Sequence, residues 1–268
     1  MSATAFAARV ERNRQLGAGY FVLEFGTTCE TEVAQVVPGQ FVMVRGEWGR
    51  DLLNPRAFSV LDAPDNRHFS ILGKVFGRGT TRLSQAREGD LVTALAPLGV
   101  GFKPARPGVT QLLVAGGVGL PPLHLQAKRA AATVGPGSVE IFYGGRSRSD
   151  LLLLEDFQAW GVPAHLATED GSLGTRGFVT VPLQARIQQA RDTGESLEIL
   201  ACGPTGMLEA VRRLGLAAEI PTYLCLEENM ACGFGVCLGC AVPVHGAKPY
   251  KYCCSDGPVF DAREVRWS

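Results

Sequence analysis

The chain has 268 residues, of which 46% are hydrophobic, and its 26 basic and 26 acidic residues give a formal net charge of zero. This length suits two domains and leaves room for a small third one. Because there is no basic surplus and no long run of one charge, we expect no nucleic-acid partner and no disordered charged tail.

The N-terminus, the apolar runs and the cysteines bear on the compartment. The stretch Met1–Arg9 lacks a basic region followed by an apolar core, so we predict no signal peptide. Apolar runs such as Leu151–Leu154 are far too short to span a bilayer, so we predict no membrane segment. Six of the eight cysteines lie from Cys225 onward. This crowding favours cofactor ligation in a reducing cytoplasm over the disulfides of a small secreted domain.

The first segment, residues 1–104, contains short alternating runs that predict strands, separated by turn signals such as Pro38-Gly39. There is little helical character apart from Thr80–Ala86. About six short strands in roughly a hundred residues predict a small antiparallel β-barrel. The predicted strands are Ala5–Arg12, Tyr20–Phe25, Gln40–Arg45, Ala57–Leu61, Phe69–Phe76 and Leu91–Ala96.

Two stretches of this segment are candidates for binding a phosphate-bearing cofactor. Arg56 could hold a diphosphate through paired charge-assisted hydrogen bonds, and the Ser59 hydroxyl could bond a flavin ring nitrogen. The turn Gly77–Thr81 precedes a predicted helix, whose first backbone N–H groups would form an anion site. Each feature alone has a plainer explanation, Arg56 as a surface ion-pair residue and the glycines as an ordinary turn. Their occurrence together in one small barrel favours the cofactor interpretation.

The second segment, residues 105–222, alternates strands with helices, which predicts a parallel sheet with helices on both faces. The predicted strands are Val109–Val114, Val139–Tyr143, Ala164–Thr168 and Leu197–Ala201. The predicted helices are His124–Ala132, Leu151–Trp160, Gln184–Asp192 and Thr205–Leu214.

The glycine-rich turns of this segment all follow predicted strands, at the edge where parallel sheets bind their ligands. The turn Gly116–Pro122 does not match the G-x-G-x-x-G fingerprint, but it offers backbone N–H groups at a helix start. These glycines would serve equally in tight strand-to-helix turns without a ligand. Cys202 either lies near a nicotinamide ring or is a small buried residue. Arg146 and Arg148 either meet a 2′-phosphate or are surface charges, so the choice between NAD and NADP stays open.

The last segment, residues 223–268, carries most of the cysteines. Cys232, Cys237 and Cys240 have the spacing C-x4-C-x2-C, and Cys253 and Cys254 follow downstream. This is the ligand spacing of a plant-type [2Fe–2S] cluster, with the fourth thiolate coming from another segment. The glycines between the ligands allow the loop to curl and to bring its N–H groups to the sulfurs. The alternatives are a structural zinc site, which usually has two short-spaced cysteine pairs, and unrelated buried thiols.

The order of barrel, dinucleotide-type segment and iron–sulfur loop resembles the ferredoxin reductase superfamily. More closely, the chain resembles the electron-transfer subunits of NAD-dependent dihydroorotate dehydrogenase B, over essentially its full length. The most specific parts are the cysteine loop and the tail Asp256–Phe260. The resemblance also rests on Pro38-Gly39-Gln40-Phe41, Arg56–Ser59, Gly79-Thr80, Gly116–Leu123, Glu169–Gly174 and Cys202-Gly203-Pro204.

The resemblance implies a multidomain chain with an FAD-binding barrel at 1–104, an α/β NAD-binding domain at 105–222 and a [2Fe–2S] segment at 223–268. In the family pattern the fourth cluster ligand directly precedes the x-Asp-Gly-Pro-Val-Phe tail, which implies Cys254 rather than Cys253. The implied metal ligands are therefore Cys232, Cys237, Cys240 and Cys254. The implied flavin positions are Arg56, Ala57, Phe58, Ser59, Leu72, Gly73, Lys74, Gly79 and Thr80. The implied nucleotide positions are Gly116, Gly117, Gly119, Cys202 and Gly203.

Two positions depart from the family pattern. Ala57 stands where the family has proline, which we expect to be harmless. Gly73 stands where the family often has an aromatic residue before a basic one, here Lys74. The second departure leaves open what packs against the flavin.

The resemblance implies that electrons move between NAD(H) and a partner through FAD and the cluster, in pyrimidine biosynthesis. The expected partner is an FMN-containing dihydroorotate dehydrogenase catalytic subunit, with two copies of each chain. No side chain is expected to act as a catalytic acid or base, and we expect His124 and His165 to be packing or surface residues.

Two other functions remain as alternatives. One is the small subunit of a ferredoxin–NADP oxidoreductase or sulfide dehydrogenase, whose relatives often have an Asp among the cluster ligands; four available cysteines favour the dihydroorotate interpretation. The other is a non-catalytic module that binds zinc and a nucleotide.

Overall fold

A computed structural model describes residues 3–31, 33–49 and 52–267. The chain divides into two compact units, each made of several stretches of sequence. Unit 1 combines Met1–Gly101, Glu227–Val242 and Lys251–Pro258, and unit 2 combines Phe102–Leu226, Pro243–Tyr250 and Val259–Ser268. The division into three domains that the sequence suggests stays a prediction.

Unit 1 contains the six strands predicted for the first segment. They are β1 (Thr4–Gly17), β2 (Tyr20–Thr27), β3 (Phe41–Gly46), β4 (Arg56–Asp62), β5 (His68–Lys74) and β6 (Leu91–Leu98). They form a closed barrel in the order β1-β2-β5-β4-β3-β6, with every pair antiparallel. The predicted antiparallel barrel is therefore confirmed.

The end of β1 differs from the prediction by five residues, and the other barrel strand ends differ by at most two. β1 runs on to Gly17 because its pairing with β2 continues past an irregularity between Val10 and Arg12. β5 ends at Lys74 rather than Phe76.

The barrel interior is filled by aromatic and aliphatic side chains. Phe25 and Phe69 stack on adjacent strands with ring centroids 4.8 Å apart. Phe21, Leu23 and Ile71 have no exposed surface. A small barrel packed in this way has no room inside for a cofactor, so any cofactor binds on its outer surface.

The helix of unit 1 is α1 (Arg78–Ser84), which begins two residues before the predicted Thr80. The early start has a local cause. The Thr80 hydroxyl oxygen accepts hydrogen bonds from the N–H groups of Phe76 (2.9 Å) and Gly77 (3.1 Å) and so caps the first turn.

Unit 2 contains a seven-stranded sheet, and all strands but the last run parallel. In spatial order the strands are β10 (Thr175–Arg176), β9 (Ala164–Thr168), β8 (Val139–Gly145), β7 (Thr110–Gly116), β11 (Leu197–Cys202), β12 (Thr222–Cys225) and the antiparallel β15 (Val259–Asp261). Every residue of β11 is buried, as expected for a strand covered on both faces. The predicted parallel α/β sheet is confirmed.

The helices of unit 2 are α2 (Pro121–Thr133), α3 (Leu154–Ala159), α4 (Thr180–Thr193) and α5 (Thr205–Ala217). The prediction that a helix begins at Leu151 is wrong, because Leu153 adopts a left-handed conformation with φ of 54°. Helix α4 begins at Thr180 rather than Gln184, because Pro182 falls in its first turn, where proline is tolerated. Two short strands, β13 (Ala241–Pro243) and β14 (Tyr250–Tyr252), form a separate two-stranded sheet.

Candidate redox-cofactor sites

The two candidate flavin stretches of the barrel lie together in the structure. Arg56 opens β4, and its guanidinium is held by a hydrogen bond of 2.7 Å from Nη1 to the carbonyl oxygen of Asn54. The guanidinium lies directly against Gly79, where a Cβ would be 2.5 Å from the Arg56 Nε atom. Because Gly79 has no side chain, a fixed cation and an open stretch of backbone share one place on the barrel surface. This is a suitable cradle for a phosphate group.

At the start of α1, where an anion site is predicted, backbone N–H groups are already used in hydrogen bonds within the protein. The Thr80 hydroxyl donates to the Gly77 carbonyl oxygen at 3.0 Å, besides capping the N–H groups of Phe76 and Gly77. The Gly77 N–H group therefore already has a partner. Thr80 shapes the turn, and Arg56 supplies the positive charge beside it.

The remaining flavin positions are spread over the neighbouring strands. On β4, Ala57 is exposed, whereas Phe58 and Ser59 are half-buried. Ser59 lies opposite Phe41, which closes the Pro38–Phe41 motif, in the β3–β4 pairing. The two predicted motifs are therefore adjacent across one strand pair.

The structure explains the glycine at position 73. On the paired strand, the ring of Phe21 lies against Gly73, and a Cβ there would be 2.5 Å from Phe21 Cζ. Leu72 is buried beside it. Lys74 donates to the Tyr20 hydroxyl at 2.8 Å, and its Nζ lies 4.2 Å from the Tyr20 ring centroid. The Phe21 ring therefore occupies the space that a side chain at position 73 would fill, a contact that the sequence analysis missed.

The candidate nucleotide site lies where the strand order of the unit 2 sheet reverses. After β7 the chain builds β8 and β9 on one side, and β11 and β12 lie on the other. Ligands of open α/β sheets bind in the crevice outside the carboxyl ends of such strands. The turn Gly116–Gly119 follows β7, and the turn that begins at Cys202 ends β11, so both predicted turns meet there.

These two turns lie backbone to backbone. A Cβ at Gly119 would be 2.5 Å from the Cys202 carbonyl oxygen and 2.7 Å from the Gly203 nitrogen. A Cβ at Gly203 would be 3.0 Å from Gly116. Gly117 has φ of 51°, in the left-handed region. The glycines therefore allow a close approach as well as tight turns.

Other polar residues at this edge of the sheet have partners within the protein. Cys202 is 1% exposed, in agreement with its interpretation as a small buried residue. Arg146 lies 3.7 Å from the Asp150 carboxylate, and the Arg148 N–H group donates to the Ser172 hydroxyl. Both arginine side chains are otherwise exposed. Hydrogen bonds from the side chain and backbone of Ser172 lower the pKa of Asp170.

The two histidines considered above pack against carboxylates. His124 is 4% exposed, and its Nε2 atom lies 2.7 Å from Asp156. The Nε2 atom of His165 lies 2.9 Å from Glu140. Both have the packing partners expected of structural residues.

The four candidate cluster ligands all belong to unit 1. They form two pairs. The sulfurs of Cys240 and Cys254 are 3.2 Å apart, and both residues are buried. The Cys237 N–H group lies 3.5 Å from the Cys232 sulfur, and these two residues are more exposed.

Backbone N–H groups point at the sulfurs, as the glycine-rich spacing predicts. The Gly235 N–H donates to the Cys254 sulfur at 3.1 Å. Burial raises the pKa of the Cys232 thiol, but hydrogen bonds from the N–H groups of Cys237, Phe234 and Val236 outweigh it and lower that pKa to about 6. Burial and the neighbouring Cys240 raise the pKa of Cys254 to about 12. One thiolate is thus stabilised by the loop itself, and the buried one would need a cation.

The paired arrangement agrees with the ligand set of a [2Fe–2S] cluster. A [2Fe–2S] cluster takes two protein ligands on each iron, so two pairs of thiols are what it needs. Cys253 is fully buried, and its N–H group bonds the Cys240 carbonyl oxygen at 2.9 Å.

None of the helices within the described ranges is long and apolar enough to cross a membrane.

Two family models match the chain. Residues 227–266 match the iron–sulfur cluster binding domain of dihydroorotate dehydrogenase B, and residues 113–213 match an oxidoreductase NAD-binding domain. The first match spans all four candidate ligands, and the second spans both glycine turns of the sheet.

Similar proteins extend these matches to nearly the whole chain. A relative from Caldanaerobacter subterraneus subsp. tengcongensis is 36% identical over 260 residues, covering 96% of this chain and 97% of the relative. A relative from Bacillus caldolyticus is 40% identical over 235 residues, covering 85% and 86%. Both are named dihydroorotate dehydrogenase B (NAD(+)), electron transfer subunit. The solved structure of an NADH-dependent reduced ferredoxin–NADP oxidoreductase, described for flavin-based electron bifurcation, superposes with a TM-score of 0.80 at 28% identity, covering 100% and 92%.

The fold and the matched domains define an NAD-linked, iron–sulfur oxidoreductase of the ferredoxin reductase type. Within that class, the chain belongs to the family of electron-transfer subunits of dihydroorotate dehydrogenase B (NAD(+)). It moves electrons between NAD and a partner. The predicted cofactor set of FAD, an iron–sulfur cluster and NAD(H) is confirmed at the level of this family.

Proposed function

We propose that the chain passes electrons between NAD(H) and an FMN-containing dihydroorotate dehydrogenase catalytic subunit, in a complex with two copies of each chain. NAD(H) binds at the turns Gly116–Gly119 and Cys202-Gly203, and FAD binds on the outside of the barrel. A [2Fe–2S] cluster is held by Cys232, Cys237, Cys240 and Cys254. The observation that carries the proposal is that these cysteines meet two by two in the unit that contains the barrel. Cys240 and Cys254 meet through their sulfurs, and Cys237 meets the Cys232 sulfur through its backbone N–H group.

The residues have roles in binding rather than in proton transfer. Arg56 offers charge-assisted donors to the flavin diphosphate, and the absence of a side chain at Gly79 lets the phosphate reach the same place. Ser59, half-buried on the same strand, offers a hydroxyl to the flavin ring. When bound, the flavin converts a two-electron hydride transfer into single-electron steps. The protein supplies position and charge.

The partner binds over the exposed thiol pair. Phe234, Val236 and Leu238 alternate with the loop residues around Cys237 and are 54%, 71% and 52% exposed. Exposed apolar side chains grouped in this way are typical of protein–protein contacts. A partner that covers them would also exclude water from the cluster. The reduced thiols that the cluster requires support a location in the cytoplasm.

The ligand set is tested by a matched pair of variants. Cys254→Ser should lose the cluster, because Cys254 lies beside the Cys240 sulfur and accepts from Gly235. Cys253→Ser, one residue away and fully buried, should keep it. The measurement is iron and acid-labile sulfide per flavin after anaerobic purification. Loss of the cluster from Cys253→Ser with retention in Cys254→Ser would reverse the assignment.

The partner surface is tested by placing a charge on it. Val236→Asp should weaken assembly with the catalytic subunit while leaving flavin and iron contents unchanged. Val181→Asp changes a residue of similar exposure (55%) in unit 2 and serves as the control. Equal assembly of the two variants, measured by analytical ultracentrifugation of the mixed subunits, would refute this surface.

A further inference from the structure

The loop that carries the first proposed cluster ligand packs against one side chain of the barrel. Gly233, which follows Cys232, has φ of 84°, and a Cβ there would be 2.6 Å from Cγ and 2.9 Å from Sδ of Met43. Met43 lies on β3 and is 1% exposed. The loop backbone therefore rests on the Met43 thioether, with Leu98 at 3.4 Å from the same point. Both the glycine and the methionine are required for this close contact.

The turn that carries the fourth ligand is tied to the barrel at a second place. The Val100 N–H group donates to the Gly257 carbonyl oxygen at 2.5 Å, and a Cβ at Gly99 would be 2.7 Å from that oxygen. Gly99 is in turn held by Gln40, whose Nε2 donates to the Gly99 carbonyl oxygen at 2.7 Å. Gln40 Oε1 accepts from the Val37 N–H group at 2.8 Å.

Gln40 is 8% exposed, so both of its side-chain hydrogen bonds are made in a largely buried setting. Removing them would leave the half-buried Val37 N–H and Gly99 carbonyl groups without these partners, which is costly. Gln40 thus fixes the end of β6, and the end of β6 fixes the turn that follows Cys254.

Both contacts involve β3 of the barrel: Met43 lies on this strand, and Gln40 directly precedes it. Met43 also lies opposite Ala57 in the β3–β4 pairing, within the Arg56–Ser59 stretch. We propose that Met43 and Gln40 are positioning residues that set the iron–sulfur cluster relative to the flavin strand β4. The proposal rests on the proposed function, because it concerns the spacing of the cofactors assigned there. Neither side chain touches the reacting atoms as a donor or acceptor of electrons.

The consequence concerns the rate of electron transfer rather than the chemistry of either cofactor. The rate of electron transfer depends on the separation and orientation of the two cofactors, so a shift of the Cys232 loop changes that rate without changing the chemistry of either cofactor. Shortening Met43 to alanine leaves a cavity beneath the Cys232 loop and frees that loop to shift. Met43→Leu keeps most of the volume and should keep the loop in place.

The first test compares Met43→Ala with Met43→Leu and with Leu23→Ala in the full chain. Leu23 is fully buried on β2, which is opposite β3 in the strand order, so Leu23→Ala makes a cavity in the same barrel away from the loop. Met43→Ala should change the EPR line shape of the reduced cluster and raise hydrogen–deuterium exchange in residues 232–240. It should also slow flavin-to-cluster electron transfer in a single turnover. Met43→Leu and Leu23→Ala should match the wild type in all three.

A double variant tests the contact itself. Gly233→Ala should lower cluster content, because its methyl group meets Met43 and because alanine is strained at positive φ. Adding Met43→Ala removes the first of these two causes, so the double variant should hold more cluster than Gly233→Ala alone. If the two substitutions lower the cluster content independently, so that their fractional losses multiply, the two residues do not act through one contact.

Gln40→Leu tests the contact between the end of β6 and the turn that follows Cys254. It keeps the side-chain size but removes both hydrogen bonds, and it should raise exchange in residues 253–258 and alter the EPR line shape while flavin is retained. Unaltered EPR spectra and exchange in both Met43→Ala and Gln40→Leu would overturn the positioning role. Failure of the proposed function has a different signature, a wild-type chain that contains no iron or no flavin.

Discussion

At the scale of single residues, Arg56 and Gly79 depend on each other. The guanidinium occupies the space that any side chain at position 79 would fill, and a hydrogen bond to Asn54 holds it there. The two residues are far apart in sequence, and each alone looks ordinary. Their contact brings two weak motifs together at the site that we propose for a flavin phosphate.

Gly79→Ala should weaken flavin binding by about tenfold or more, because the methyl group pushes aside the charged end of Arg56. The fold should survive, since the displaced atoms are the far end of a flexible side chain. Gly77→Ala is the matched control, because a Cβ at Gly77 meets nothing within 4 Å. Flavin content after gel filtration and a fluorescence titration with FAD measure the difference. Equal affinities for the two variants would contradict the Arg56–Gly79 cradle.

The contact between Phe21 and Gly73 is of the same kind. The sequence shows Gly73 as a departure from the family pattern but does not show that the Phe21 ring lies against it. That ring comes from the paired strand, in a register that no local pattern specifies. The Met43–Gly233 contact was missed for the same reason, because a methionine in a buried strand has no signal beyond its hydrophobicity.

At the scale of secondary-structure elements, the nucleotide site depends on the close approach of two strand-to-helix turns. The turn after β7 and the turn after β11 touch through Gly119 and the Cys202-Gly203 backbone. Backbone atoms cannot yield to a new side chain as a flexible side chain can.

Gly119→Ala should therefore separate the two turns and raise the KM for NADH by about tenfold or more, with a smaller effect on the flavin spectrum. Gly206→Ala is the control in the neighbouring helix α5, where a Cβ meets nothing within 4 Å. Alanine there should leave the KM unchanged and stabilise the helix by up to about 1 kcal/mol. A normal KM in Gly119→Ala, with the fold intact by circular dichroism, would count against this site.

A network of charged side chains links β8, β9 and α4. The Glu140 carboxylate lies 2.9 Å from Nε2 of His165, and Nη2 of Arg186 lies 2.8 Å from Glu140 and from Glu195. Burial raises the pKa of Glu140, but the hydrogen bonds from His165 and Arg186 outweigh it, so the pKa is lower than the usual 4.5. The carboxylate thus stabilises the folded state most when it is ionised.

Glu140→Gln should reduce the free energy of unfolding by about 2 kcal/mol at neutral pH, because a charged acceptor is lost from a half-buried network. The stabilisation by a group with a lowered pKa is complete above its unfolded value and disappears as pH falls through its folded value. The difference from wild type should therefore persist down to about pH 5 and shrink below it.

Urea unfolding across this pH range measures the effect. Glu155→Gln, an exposed change on α3, is the control and should shift the free energy by a few tenths of a kcal/mol at most. A Glu140→Gln difference that grows on acidification would contradict the assigned direction of the pKa.

Secondary-structure elements were the most predictable level of this protein. All six barrel strands, the four parallel strands β7, β8, β9 and β11, and the turns after them follow from alternation, apolar runs and glycine placement, whereas the short parallel strands β10 and β12 were not predicted. The misplaced start of α3 has a cause that the sequence does not reveal, a leucine in a left-handed conformation at position 153. The pairing of the cysteines, two buried and two more exposed, also needed the folded loop, since spacing alone gives candidate ligands but not which sulfurs meet.

At the scale of the whole molecule, segments that are distant along the chain belong to the same compact unit. The cysteine loop and the tail are last in sequence, but the four ligands belong to the unit that contains the barrel. The strand β4 proposed for the flavin and the proposed cluster ligands therefore share one compact unit, and the turns proposed for the nucleotide belong to the other.

The most direct test is an anaerobic titration of the purified full chain with NADH, recorded by absorbance and by EPR. The account predicts that the flavin band bleaches and that the EPR signal of a reduced [2Fe–2S] cluster appears in the same titration, without any partner present. Bleaching of the flavin with an EPR-silent cluster would contradict the electron path from flavin to cluster. A chain that contains zinc, without iron, sulfide or flavin, would contradict the whole account.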